Sequence, residues 1–165
     1  MIFMSQSGLT DPSREADWDV WYEEHLRLIR TVPGFGSAQR FKTTSPGYSP
    51  SLAMYTLASE DVFSDPYYLS VRGMGEWKPL IDPRYYMRNL FDGLDVAPRV
   101  AADSILLVAD RSEPDARLEG MTWLRAVAID RSTPYRGIQV IASGDAARWT
   151  KHERLGLYRP FSLQA

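Results

Sequence analysis

The stretch DWDVWYEEHLRLIRTVPGFGSAQRF, Asp17 to Phe41, decides how the rest of the chain is read. Trp18, Tyr22, Leu26 and Ile29 follow one another at spacings of four, four and three. That spacing places them on one face of a helix with 3.6 residues per turn. Such an apolar face needs a sheet to cover. Trp21 and His25, also four apart, fall on the flank of the stripe, where packed interior meets any space beside it. Pro33 ends the helix, Gly34 and Gly36 free the turn, and a strand follows with Gln39, Phe41 and Thr43 on one side and Ala38, Arg40 and Lys42 on the other.

Composition narrows the function classes. The chain has 165 residues, 44% apolar and 24% charged, enough for one folded domain with a sizeable core. Its 19 basic and 21 acidic side chains give a net charge of -2. Without a long basic run it is a poor ligand for nucleic acid, whose phosphates must be neutralised by clustered Lys or Arg. There are no cysteines and two histidines, His25 and His152. Thiolate nucleophiles, cysteine-held metals and an all-histidine metal triad in one chain are therefore excluded. No basic leader or membrane-length apolar run is present, so the expected location is cytoplasmic, with no membrane partner.

Outward from the decisive stretch, Met1–Met4 reads as a strand running toward Gly8, and Asp11-Pro12-Ser13 as a turn, with Ser13 or Asp17 capping the helix. Residues 44–50 form a connection rich in Ser, Pro and Gly to a partner strand, Ser51–Leu57. Ser59-Glu60-Asp61 opens helical structure that Gly73, Gly75 and Pro79 interrupt, with a second helical piece expected around residues 83–91. Ala101–Ala109 is an almost continuously apolar strand, as in a protected sheet position. Residues 110–117 form a charged loop. Two further strands, 121–129 and 136–143, read as a hairpin, followed by a helical turn within 144–155 and an edge strand at 156–161. The expected class is α+β, with a core at residues 1–109 and a strand extension at 110–165 packed in the same domain.

The residues Trp21-Tyr22-Glu23-Glu24-His25-Leu26, Val32-Pro33-Gly34-Phe35 and Ala38-Gln39-Arg40-Phe41, with Tyr55 and Ser59-Glu60 downstream, resemble the dimeric α+β barrel superfamily, and within it the EthD-like proteins. The resemblance spans roughly residues 1–109. It implies a ferredoxin-like unit whose sheet pairs with that of another subunit or half-domain, with a homodimer expected and additional C-terminal antiparallel strands that either complete a pseudo-dimer or support a true one. It further implies a small-molecule cavity between helices and sheet, with His25 beside it. Members include monooxygenases, isomerases, cyclases, dehydratases and heme-binding proteins, so the resemblance bears on fold more than on reaction.

His25 is the group best suited to proton transfer near neutral pH. Arg40 can orient an oxyanion and Tyr55 can donate to one, so these three are the expected catalytic set. Trp21, Tyr22, Tyr67, Tyr68 and Trp77 are the expected wall for a small apolar or aromatic metabolite. Each also has a structural reading: His25 as a satisfied, partly buried ring, Arg40 as half of an ion pair with Asp17, Asp19 or Glu24, and the tyrosines as core aromatics. Glu23 and Glu24 point in different directions and form no acid/base pair, and Asp82, Arg84, Arg88 and Asp92 read as a solvated helix surface. Gly73-Met74-Gly75 lacks the setting of a nucleotide loop. No cofactor or metal is called for. The expected activity is a lyase or isomerase of the dehydratase or cyclase kind, with a cofactor-free monooxygenase or a noncatalytic binding protein as alternatives.

Overall fold

The computed structural model describes residues 1–162 and Gln164. Its centre is a closed barrel of eight antiparallel strands, in the cyclic order β1-β3-β2-β8-β5-β7-β6-β4. The strands are β1 (Ile2–Ser7), β2 (Phe35–Lys42), β3 (Ser51–Leu57), β4 (Met87–Asp92), β5 (Ser104–Arg111), β6 (Thr122–Ile129), β7 (Tyr135–Ala142) and β8 (Gly156–Pro160). The long helix is α1 (Glu15–Ile29), and the shorter ones are α2 (Pro66–Val71) and α3 (Ala146–Trp149). None is long and apolar enough to cross a membrane among the described residues.

Within the barrel, β4-β1-β3-β2 form one set of four neighbours and β8-β5-β7-β6 the other, and each set runs fourth, first, third, second in chain order. Two seams join them: β4 pairs with β6, and β2 pairs with β8 through Phe41–Pro160 and Lys42–Arg159. The first set carries α1, α2 and three 3-10 segments, Pro12–Arg14, Glu60–Ser64 and Gly75–Leu80, in its connections. In the second set the corresponding connections are the loop 112–121 and the short segment that ends in α3. Residue 109, where the sequence suggested a division, lies inside β5.

Alternation along the strands builds two layers. Ile2, Met4, Phe41, Leu52, Met54, Phe91, Leu106 and Val108 fill the lumen, while Phe3, Ala53, Tyr55, Leu57 and Leu90 face outward and meet α1. Trp18, Tyr22, Leu26 and Ile29 are the buried residues of α1, the stripe read from the sequence, and each such side chain contributes about 1.5–3 kcal/mol on burial. The polar lumen residues are paired: Arg136 donates to Asp110 at 2.7 and 2.8 Å and to Gln6 at 2.7 Å, and Tyr158 donates to the Ser49 carbonyl at 2.8 Å.

Three expectations change. Residues 83–91 are a turn leading into β4, not a helix, because Phe91 is needed in the lumen and Leu90 against α1, which only a period of two delivers. The last strand is not an edge: β8 is held between β2 and β5, and closure leaves no edge. Neither Ser13 nor Asp17 caps α1. Asp11 caps the preceding 3-10 turn by accepting from the Ser13 N–H, and Arg14 stands at the α1 cap without a side-chain bond.

Candidate active site

The outer face of the first strand set presents two rungs. Leu90, Phe3, Tyr55 and Ala38 lie opposite one another across β4, β1, β3 and β2, and Arg88, Ser5, Ala53 and Arg40 form the next. Above them α1 supplies Tyr22 and His25, three residues apart on one helical side. Between this face and the helices lies a chamber of about 40 Å³, whose lining includes His25, Tyr22, Tyr55, Ser5 and Tyr68. An outer cleft of about 650 Å³ adjoins it, and the two share Arg72, Gly73, Met74, Tyr86 and Arg88. The chamber is the size of one water-sized group, whereas the cleft is large enough for a small organic molecule.

Electrostatics fixes the protonation states. The His25 ring stacks on Trp21 at 4.8 Å with an interplanar angle of 11°, and Tyr22 meets it edge-on at 6.1 Å. Burial lowers its pKa to about 4, so the imidazole is neutral at pH 7. Burial likewise raises the Tyr22 and Tyr55 hydroxyls, against the opposing pull of Arg40, so both stay protonated. The chamber thus brings together a neutral acceptor base and two phenol donors.

Of the expected catalytic residues, His25 and Tyr55 meet at the chamber and Arg40 does not. Arg40 is fully buried behind Tyr22, its guanidinium 4.3 Å from that ring and 4.7 Å from Trp18. Its Nε donates to Ser51 Oγ at 2.9 Å, and its Nη1 lies 2.8 Å from Asp19 Oδ1, an ion pair not aligned for a hydrogen bond. Lys42 completes the cluster, 2.5 Å from Asp19 and 2.9 Å from Glu15. Arg40 Nη1 and Nη2 are buried without a hydrogen-bond partner, and Arg40 is not among the residues that line the chamber.

Among the expected wall residues, Tyr22 and Tyr68 line the chamber. Trp21 backs His25, and Trp77 stands behind Trp21 at 6.5 Å under the Arg14 guanidinium. Tyr67 is exposed, its hydroxyl 2.7 Å from that of Thr31, and belongs to no part of the site. The sequence reading missed Ser5, Arg72, Met74, Tyr86 and Arg88. Alternation of Tyr86, Arg88 and Leu90 would have placed the last two of these on the site face had residues 86–90 been read as a strand.

His25 faces the small chamber, and His152 is exposed and lines a separate groove of about 550 Å³ together with Arg117, Glu119, Asp145 and Arg148. Among the described residues no three His, Asp or Glu side chains gather as a metal site.

These features define an α+β protein with a closed eight-stranded antiparallel barrel and a cleft outside the sheet, under its helices. It is similar in structure to a protein whose crystal structure is described as "Putative Chlorite dismutase", with a TM-score of 0.54 and 10% identity over 98% of this chain and 95% of that one. At that identity the likeness concerns the fold alone. No protein-family model matches the chain. No curated protein matches it in sequence.

Proposed function

We propose that this chain is a cofactor-independent lyase or isomerase, dehydratase- or cyclase-like, acting on a small aromatic or polyketide-like oxygenated molecule by proton transfer through His25. One observation carries the reading: a neutral imidazole and two protonated phenols face one water-sized chamber at the back of a 650 Å³ cleft. In an elimination, His25 takes the proton from carbon, the C–H electron pair becomes the double bond, and the hydroxyl departs with that same proton as water. Tyr22 and Tyr55 donate hydrogen bonds to the oxygen as charge develops on it. In an isomerisation the imidazolium returns the proton to a second carbon instead.

The EthD-like and dimeric-barrel readings rest on the same helix and on topology. The order fourth, first, third, second in each strand set suits two ferredoxin-like units, the second with reduced helices. The second sheet, which the resemblance assigns to another subunit or to a half-domain, belongs here to the same chain, so any homodimer would form through other surfaces.

A noncatalytic binding role is favoured by a different observation, since an imidazole with pKa about 4 is a weak base at pH 7. Incubating the protein with aromatic and polyketide-like hydroxy and keto compounds, and following loss of water or double-bond migration by mass spectrometry, separates the readings. Enzymatic turnover should fall about 100-fold or more in His25→Gln. Ligand retention without conversion would sink the enzyme and support the binding protein, and oxygen consumption coupled to substrate loss would reveal the monooxygenase.

A further inference from the structure

The outer cleft has a charge bias that proton transfer does not use. Arg72, Lys78 and Arg88 are among its lining residues, and none of the lining residues is Asp or Glu. Leu69, Met74, Ile81 and Pro83 supply apolar wall between these cations. Arg72 and Lys78 are exposed at the rim, but Arg88 sits deeper, on the rung beside Ser5, with its side chain 30% exposed. Its guanidinium lies 5.4 Å from the Tyr86 ring, and Asp130 approaches one terminal nitrogen only to 3.7 Å. The Arg88 Nε is buried with no partner. A buried donor left unpaired costs about 1–3 kcal/mol, and with Asp130 at 3.7 Å the Arg88 charge is incompletely compensated within the protein. Arg72 and Arg88 line both the cleft and the chamber, so both stand at the neck where the two meet.

We propose that the site takes a carboxylate with an apolar or aromatic body, its anionic group held at the neck by Arg88 with Arg72, and its body lying in the cleft. This rests on the proposed function for the direction of the reacting end, though not for the binding itself. The chamber admits only a water-sized group, so the anionic end at the neck is the part of the ligand nearest His25 and the body stays in the cleft. Arg40 cannot share this anion: three strand spacings on the same rung separate it from Arg88, ~14 Å. Single-point charge contacts at a partly desolvated neck favour the acid over a neutral isostere.

The test is binding of 3-phenylpropanoate against 3-phenylpropanamide to the full-length protein by isothermal titration calorimetry. The acid should bind roughly tenfold or more tightly than the amide, and less tightly at high salt. Arg88→Gln should reduce that preference to within about threefold, and Arg72→Gln, at an exposed position where folding is secure, should reduce it in part. His25→Gln should keep the preference, so an enzyme without turnover and a site without anion selectivity give different results. Equal affinity for acid and amide, no binding of either, or a preference that survives both arginine variants would overturn the proposal.

Discussion

His25 is held neutral by the packing that surrounds it, and this has a thermodynamic signature. Its folded pKa is about 4, against an ordinary value of 6.5, so between those two pH values the unfolded chain binds more protons than the folded one. Stability therefore rises with pH across that window, is complete above it, and is lost as pH falls toward 4. Replacing the ring by glutamine removes this linkage while the carboxylates titrate as before. Between pH 7 and 4.5 the wild type should lose about 2 kcal/mol more than His25→Gln, allowing for partial exposure of the ring, as measured by urea denaturation at both pH values. An identical loss in both proteins would mean that the ring is solvated. The sequence exposed this much: the flank position of His25 follows from helical spacing alone. The partner of Arg40 did not follow, because choosing Asp19 over Asp17 or Glu24 depends on how α1 is rotated over β2.

At the scale of elements, the turn between α1 and β2 is the joint that seats the helix over the site. Gly34 has φ of +93°, and a Cβ there would lie 2.4 Å from Val62 Cγ2, in the first 3-10 segment after β3. Gly47, with φ of +80° and open space around it, carries the conformational strain alone. Gly47→Ala should cost about 1 kcal/mol, and Gly34→Ala at least ~1 kcal/mol more through overpacking against Val62. Urea midpoints of the two variants decide, and equal costs would show that Val62 moves aside freely. The Pro33-Gly34 break was readable because proline and glycine act locally. The nature of β4 was not. Its six residues carry no strong period, and they become a strand by pairing with β1 and β6, partners distant in sequence. That one misread element concealed Arg88, and with it the cationic neck.

At the scale of the whole molecule, the second strand set repeats the pairing order of the first, with its helices reduced to the short α3. A sequence shows helices through their spacing but shows no sheet order, so the second set read as an extension when its strands in fact complete the barrel. The completion has an energetic consequence. Both seams are made within one chain, β4 to β6 and β2 to β8, and the lumen is filled by residues from both sets, among them Met54, Phe91, Leu106 and Tyr158. A barrel closed between two chains would lose its lumen on dissociation, and its melting temperature would rise with protein concentration by mass action. Closure within the chain removes that source of dependence, so only association of folded copies through other faces would produce one. The melting temperature of the protein should therefore stay constant within about 1 °C over a hundredfold range of concentration, since a 1 kcal/mol stabilisation would shift it by about 2–4 °C for a domain of this size. Scanning calorimetry at both ends of that range measures it. A rise by several degrees would show that folded copies associate, whereas loss of folded structure at the dilute end would show that the seams within one chain do not hold the barrel by themselves.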